Sequence, residues 1–307
     1  MRAFDDFVLA SAGHGRHPEH APPLIGVGVD EDDAVRDALL LYAAASWDAP
    51  AMRWASADEL GDEALPVEEL ARVASLEPID RIRWVEGFAL DDGRPTWVPA
   101  ILVHIGLPVA VEAEAFWPTT RAGLAISDDL GESVVTGLLD LVARDAFAVA
   151  TTRDAPLQRI ADDLPAYGIT GDVGIPSALV RRDDGELGIA AAPTMRAARQ
   201  HASADAIRRS ARRTRETYPT DAQLVFDPTG DNAYVAADAS DAPVDLSKPG
   251  IVNRLRRVGL AGYAVDLTTE ELARAGLTAA RVVVPGLSPI PPMLGWADHA
   301  RLARVAP

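Results

Sequence analysis

The spacing of apolar and polar positions predicts helices separated by pairs of strands. From Asp30 onward, apolar residues recur every three or four positions, which predicts a helix whose buried face includes Ala34, Ala38 and Leu41. The acidic residues at its start favour a helix N-terminus. The same kind of spacing predicts further helices at 127–149, 204–218, 248–258 and 269–275.

Short apolar runs predict strands between these helices. The stretch Asp91-Asp92-Gly93-Arg94-Pro95 has turn composition, so strands at 81–89 and 97–104 are predicted to form a hairpin. A second pair is predicted around Asp183-Asp184-Gly185. The predicted strands outside the hairpin are 172–181, 188–192, 222–226, 262–266 and 280–284. Paired strands with single helices between them predict an α+β fold, a single domain of antiparallel or mixed sheets with interleaved helices.

The start of the chain differs from the rest. Residues 1–23 show no clear periodicity and are predicted to be an irregular N-terminal segment, whereas residues 24–307 are assigned to the domain. Three histidines three residues apart could converge on a zinc or nickel ion, but nearby glycine and proline prevent a regular helix, which favours a solvated loop. These histidines are His14, His17 and His20.

The charge balance excludes some classes of partner. Acidic residues outnumber basic ones by 46 to 29, for a formal charge of −17. This argues against nucleic acids and anionic membranes, which need a basic face. Lys248 is the only lysine, and the other 28 basic residues are arginines. Such an acidic, lysine-poor composition is typical of halophilic proteins, although a GC-rich genome would also favour arginine and alanine.

The absence of cysteine excludes disulfides, thiolate nucleophiles and cysteine-ligated zinc. The first ten residues do not read as a signal peptide, and the longest apolar stretch, 97–111, is too short to span a bilayer. We therefore expect a cytoplasmic protein.

Four blocks, taken in order along residues 24–290, resemble the YcaO family. The most specific is Val265-Asp-Leu-Thr-Thr269 followed by Arg281-Val-Val-Val-Pro-Gly-Leu287, which is similar to the family's DLTT and VPGL motifs. The other blocks are 82–87 with 98–103, 123–125 with 137–146, and 172–176 with 188–190. The resemblance implies ATP-dependent activation of backbone amides in ribosomally made peptides, forming azolines or thioamides. It also implies magnesium held around the ATP phosphates by acidic residues on three helices.

This sequence departs from the family at those acidic positions. On the first helix, Leu41 and Ala44 stand where the resemblance places glutamates, and Ala45 replaces an arginine. On the second, the paired glutamates become Asp140 and Ala143. The other departures are Ala122 for an asparagine before the second helix and Arg213 for a glutamate on the third. A neutral side chain cannot ligate Mg²⁺, so we expect neither catalytic residues, a metal site nor a cofactor.

Four charged residues are predicted to be what remains of the nucleotide site: Asp140, Arg144, Asp145 and Arg209. Arginine can bind phosphate without a metal, or these arginines can form salt bridges with nearby acids. The favoured function is a non-catalytic partner or scaffold for another YcaO-type or peptide-maturation protein, with a homodimer or a peptide substrate as further possibilities. The alternatives are an active enzyme using ATP and magnesium in a rearranged site, and an anion or small-molecule binding module in the relic cleft.

Other chemistry-bearing residues have plainer interpretations. His104 lies in an apolar run and is predicted to be a hydrogen-bonded core histidine, and Gly26-Val-Gly28 is too sparse for a nucleotide loop. An arginine-rich helix is interpreted as matched to acidic neighbours, with a docking face for an acidic partner as the alternative. Its arginines are Arg208, Arg209, Arg212, Arg213 and Arg215.

Overall fold

The structure, a computed structural model, describes residues 8–12, 24–47, 51–66, 79–115, 120–152, 157–161, 165–213 and 242–288. Its strands are β1 (Val8–Ala12), β2 (Leu24–Gly28), β3 (Arg53–Ala55), β4 (Ile82–Ala89), β5 (Pro95–Pro99), β6 (Leu124–Ser127), β7 (Gln158–Ala161), β8 (Ala166–Gly168), β9 (Ser177–Arg181), β10 (Leu187–Ala191), β11 (Tyr263–Asp266) and β12 (Thr278–Val283). Its α-helices are α1 (Glu31–Ala45), α2 (Ala57–Leu60), α3 (Ala100–Val103), α4 (Leu130–Thr152), α5 (Met195–Arg213), α6 (Lys248–Arg257) and α7 (Glu270–Arg274).

The strands of the described ranges form three antiparallel sheets. The largest has the order β3-β4-β11-β12-β6, with β5 also paired to β4. A four-stranded sheet has the order β10-β9-β8-β7, and β1 pairs with β2 alone. The two predicted hairpins are confirmed, with Trp84 of β4 opposite Pro99 of β5 and Leu179 of β9 opposite Ile189 of β10. Strand β9 begins at Ser177, five residues after its predicted start. The fold class is α+β, as predicted.

The long helix α4 lies between the two larger sheets. It contacts β6 and β12 of the first and β9 and β10 of the second, and its buried residues, such as Leu138 and Phe147, lie in the cluster that joins them. Helix α1 packs on β1, β2 and β6, and α5 packs on β9 and β10. The predicted buried face of α1 is confirmed, because Ala34 and Ala38 are buried.

The second strand of the first hairpin was predicted to be too long. Residues 97–104 leave the extended conformation at Pro99, and Ala100–Val103 form the helical turn α3, all of whose side chains are buried. A short apolar run fits a buried strand and a buried helix equally well, so its periodicity could not separate them.

Two long helices begin elsewhere than predicted. Helix α4 begins at Leu130 because Asp129 Oδ1 accepts the N–H of Glu132, while Ser127 still belongs to strand β6, which the sequence analysis missed. Helix α5 begins at Met195, where Thr194 Oγ1 accepts the N–H of Ala197, nine residues before the predicted start.

The segment predicted to be irregular contains a strand, because β1 pairs with β2 along its whole length. Strands β2, β3, β7 and β8 were also missed, and all are five residues long or shorter. The boundary predicted at residue 24 stays a prediction. The predicted strand at 222–226 and the three N-terminal histidines lie outside the described residues. None of the helices in the described part of the chain combines the length and the apolar content that a membrane-spanning helix requires.

Candidate functional site

On each of three helices, an aspartate accepts a hydrogen bond from a neighbouring segment of backbone. Asp37 of α1 accepts the N–H of Val27 in β2 at 2.9 Å, and Asp205 of α5 accepts the N–H of Ile189 in β10 at 3.0 Å. Asp140 of α4 accepts the N–H of Gly123, just before β6, at 2.8 Å. Since each carboxylate binds the segment that precedes its helix, the three aspartates are equivalent parts of three similar strand–helix units.

Small residues bring each strand against its helix. A Cβ on Gly26 would lie 2.1 Å from the carbonyl oxygen of Ala34, and one on Gly188 would lie 2.0 Å from that of Ala202. In the α4 unit, a Cβ on Gly137 would lie 2.7 Å from the carbonyl oxygen of Gly123. The glycines at 26 and 28 are therefore explained by close packing.

Each of these aspartates also forms an ion pair with an arginine. Arg144 Nε lies 2.8 Å from Asp140 and Arg209 Nε lies 2.7 Å from Asp205, both pairs one turn apart on the same helix. Helix α1 has Leu41 at the corresponding position, and Asp37 instead pairs with Arg121 from the segment before β6.

The pairs on α4 and α5 adjoin each other. Burial raises the pKa of Asp205, but the charge and hydrogen bond of Arg209, the N–H of Ile189 and the charge of Arg144 outweigh it, so the pKa is lowered overall. Three of the four predicted relic residues, Asp140, Arg144 and Arg209, are thus brought to one charged cluster. Asp145 is buried and its Oδ1 accepts the N–H of Ser288, which ties the segment after β12 to α4.

The positions that lack the expected carboxylates are packed. Leu41 and Ala44 are 8% and 0% exposed in one apolar cluster, and Ala122 and Ala143 are each 1% exposed in the second. Ala45 packs against the first cluster. The side chain of Arg213 lies outside the description.

The described residues at this site do not fit a magnesium ion. Mg²⁺ needs several oxygen ligands, whereas Leu41, Ala44 and Ala143 offer none and Asp140 is engaged by two nitrogen donors. Within the described ranges, no group of three or more His, Cys, Asp or Glu side chains is arranged to hold a metal.

Arg281 was not identified from the sequence as a site residue. It is buried on β12, and its Nη1 donates to the carbonyl oxygen of Thr120 at 2.9 Å. Its Nε has no hydrogen-bond partner in the described part of the chain. Burial lowers the pKa of Arg281 to about 9; the charge of Asp140 raises it and that of Arg144 lowers it. Arg281 therefore brings a further positive charge to the cluster.

The sequence carried a signal for two of the missed residues. Asp37, Asp140 and Asp205 each follow a small residue by three positions, at Ala34, Gly137 and Ala202. This shared spacing is the signal that could have identified Asp37 and Asp205 in the sequence. Arg121 and Arg281 lie on other segments and reach the cluster only through the tertiary fold.

Two other expectations have definite outcomes. Arg208 and Arg209 are matched to acidic neighbours, since Arg208 Nε lies 2.9 Å from Asp33 and Arg209 pairs with Asp205. The side chains of Arg212, Arg213 and Arg215 lie outside the description. His104 follows the helical turn α3, so the prediction that it lies within a strand was wrong. Its ring makes a hydrogen bond with the Ala44 backbone, as predicted, while its Nδ1 has no partner among the described residues.

A model of a known protein family matches part of this chain. The model of the YcaO cyclodehydratase family, described as ATP- and Mg²⁺-binding, matches residues 33–182. No curated protein sequence matches the chain significantly.

Solved structures share the fold at low sequence identity. A heterocyclase in complex with substrate and cofactor is 19% identical, with a TM-score of 0.69 over 94% of this chain and 50% of that one. YcaO from Methanopyrus kandleri bound with AMPPCP and Mg²⁺ is 20% identical, with a TM-score of 0.65 over 93% and 87%. A chain of the E. coli microcin synthetase McbBCD complex is 11% identical, with a TM-score of 0.62 over 86% of this chain and 82% of that one.

The chain spans about half the length of that heterocyclase and of the heterocyclase TruD, which has the same fold. The family match runs from α1 to β9 and includes the whole β6–α4 unit, whereas β2 lies before its start. The structural likeness extends over the remaining elements. Residues 33–182 therefore belong to the YcaO family by their match to its model, and the rest of the chain shares the fold of the solved structures.

Proposed function

We propose that this chain is a non-catalytic YcaO protein that scaffolds, or binds substrate for, another protein of peptide backbone modification. The observation that carries the proposal is that Leu41, Ala44 and Ala143 are buried in apolar contacts. These positions correspond to magnesium-binding glutamates in the family resemblance. An apolar side chain supplies no lone pair to a hard cation.

The charges that remain are used within the protein. Activation of an amide by ATP needs the charge of the phosphates to be neutralised, which magnesium does in related chemistry. Here Asp140 binds Arg144 and the N–H of Gly123, and Asp205 binds Arg209 and the N–H of Ile189. These contacts stabilise the strand–helix units and support a structural role for the cluster.

The expected partner is another YcaO-type or peptide-maturation protein. Two of the similar structures are of the microcin synthetase McbBCD complex, one with pro-MccB17 bound. They are fold-level analogies. A second copy of this chain or a peptide substrate is the alternative partner.

The deciding experiment is calorimetric titration with ATP, with and without Mg²⁺, at high salt, together with an ATP hydrolysis assay and circular dichroism to verify folding. We expect no magnesium-dependent binding and no hydrolysis. Magnesium-dependent hydrolysis by the folded chain would overturn the proposal in favour of an active enzyme with a rearranged site. The partner role is then tested by searching the neighbouring genes for a glutamate-complete YcaO enzyme and measuring the turnover of that enzyme with and without this chain.

A second candidate is a metal-independent anion-binding module in the same cleft. It is favoured by the unpartnered Nε of Arg281 beside the charge of Arg144, because guanidinium groups bind oxyanions. The same titration distinguishes it. Binding of ATP or phosphate without Mg²⁺ that is lost in Arg281→Met and kept in Arg257→Met, an exposed arginine of α6, would support this candidate.

A further inference from the structure

A cavity of about 470 Å³ lies where the start of α4 meets the segment leading into α6. Its volume falls within the range of small-molecule sites, roughly 300–1,000 Å³. None of the residues that form the charged cluster around Asp140 lines this cavity. The cavity is therefore separate from the site considered above.

Three charged residues line this cavity, Asp129, Glu132 and Lys248, and the last two are of opposite charge without pairing. Glu132 projects from the first turn of α4, and Lys248 begins α6. In the part of the chain that the structure describes, neither side chain has an ion-pair partner. The ammonium of Lys248 lies 5.4 Å from the centroid of the Phe88 ring, and this cation–π contact holds it at the cavity.

The rest of the lining combines apolar and polar side chains. Val135 and Leu246 are half-buried, pack against the second apolar cluster and line the cavity. Thr136 adds an exposed hydroxyl. Apolar walls with a few polar groups that fix orientation are the usual composition of a small-molecule pocket.

We propose that this cavity binds a small zwitterion of the amino-acid class. The ammonium group of the ligand faces Glu132, its carboxylate faces Lys248, and its apolar side chain lies on Val135 and Leu246. A simple cation would leave Lys248 without an opposite charge, and a simple anion would leave Glu132 and Asp129 without one. A zwitterion gives both Lys248 and Glu132 an opposite partner.

The single lysine makes a direct test feasible. Reductive methylation with ¹³C-formaldehyde labels Lys248 and the N-terminal amine and keeps the positive charge, so one side-chain NMR signal reports on the cavity. The probe is L-leucine, compared with 3-methylbutylamine, which lacks the carboxylate, and 4-methylpentanoate, which lacks the ammonium group. We expect a saturable shift with leucine and at least about ten-fold weaker binding of each analogue.

Matched variants locate the effect. Glu132→Gln is expected to weaken leucine binding about ten-fold, because it removes the partner of the ligand ammonium, and to leave folding intact at an exposed position. Glu112→Gln, an exposed glutamate outside the cavity, is expected to change nothing. Absence of a shift with leucine, equal shifts with all three compounds, or equal binding in Glu132→Gln and the parent would each overturn the proposal.

Discussion

Asp140 accepts the Nε–H of Arg144 at 2.8 Å, one turn further along α4, and the N–H of Gly123 at the same distance. Asp205 and Arg209 repeat this arrangement on α5 with Ile189. In each unit a single carboxylate joins a helix, an arginine and the preceding backbone segment. The charged residues in the middle of these helices thus contribute to the stability of the fold.

We predict that Asp205→Asn destabilises the protein more than Asp140→Asn. The side chain of Asp205 is less exposed than that of Asp140, 19% against 32%, so its hydrogen bonds compete less with water. Losing charge-assisted hydrogen bonds costs about 1.5–3 kcal/mol, and we place Asp205 at the upper end and Asp140 at the lower. Urea unfolding followed by circular dichroism measures both, with the exposed turn residue Asp183→Asn as control. A larger loss for Asp140→Asn would contradict the ranking.

The sequence predicted the elements with strong local signals and missed those defined by tertiary contacts. Helix α6 and strand β11 lie within one residue of their predicted bounds because capping residues and apolar runs mark them. Strand β8 has three residues and exists through its pairing with β9. At the site, Arg144 and Arg209 could be identified from motifs. Arg281 could not, because it reaches the cluster from a strand that is remote in sequence.

We predict that Gly188→Ala strongly destabilises the α5 unit. The new Cβ would lie 2.0 Å from the backbone oxygen of Ala202, so β10 and α5 would have to separate. Overpacking against backbone costs about 1–3 kcal/mol or more. Gly171→Ala is the matched control, since its Cβ would meet ordinary contacts at 3.6 Å. Chemical denaturation of the two variants tests the difference, and equal stability would mean that the strand and helix are not in close contact.

Restoring a carboxylate at Leu41 is predicted to cost stability without restoring nucleotide chemistry. In Leu41→Glu a charge would be buried in the first apolar cluster with no designed partner, at a cost of several kcal/mol. Leu41→Met, which keeps the volume, is expected to change stability by less than about 1.5 kcal/mol. Thermal unfolding and ATP calorimetry on both variants provide the measurement. If Leu41→Glu gained magnesium-dependent ATP binding, one restored carboxylate would be enough to complete a magnesium site, which would contradict the prediction.

The stability of the whole protein is predicted to rise with salt. With a formal charge of −17, mutual repulsion of surface acids opposes the compact state, and ions screen it over about 10 Å at 0.1 M. Midpoints of thermal unfolding in KCl from low to molar concentration test this. A second series in sucrose, which stabilises without screening charge, separates screening from general solute exclusion. A flat response to KCl would argue against the halophilic interpretation.

Acid sensitivity is predicted to arise in part from His104. Burial lowers its pKa to about 4; hydrogen bonding with the Ala44 backbone raises it, and the charges of Arg281 and Arg83 lower it further. Between pH 6.5 and 4 the unfolded chain binds a proton at this histidine and the folded chain does not, so stability falls as the pH falls through this window, by about 3 kcal/mol in all. His104→Gln removes the titration, and the free energy of unfolding of the parent minus that of the variant should decrease by that amount. The exposed His201→Gln serves as control. A difference that stays constant from pH 6.5 to 4 would mean that folded His104 takes up its proton as readily as the unfolded chain does.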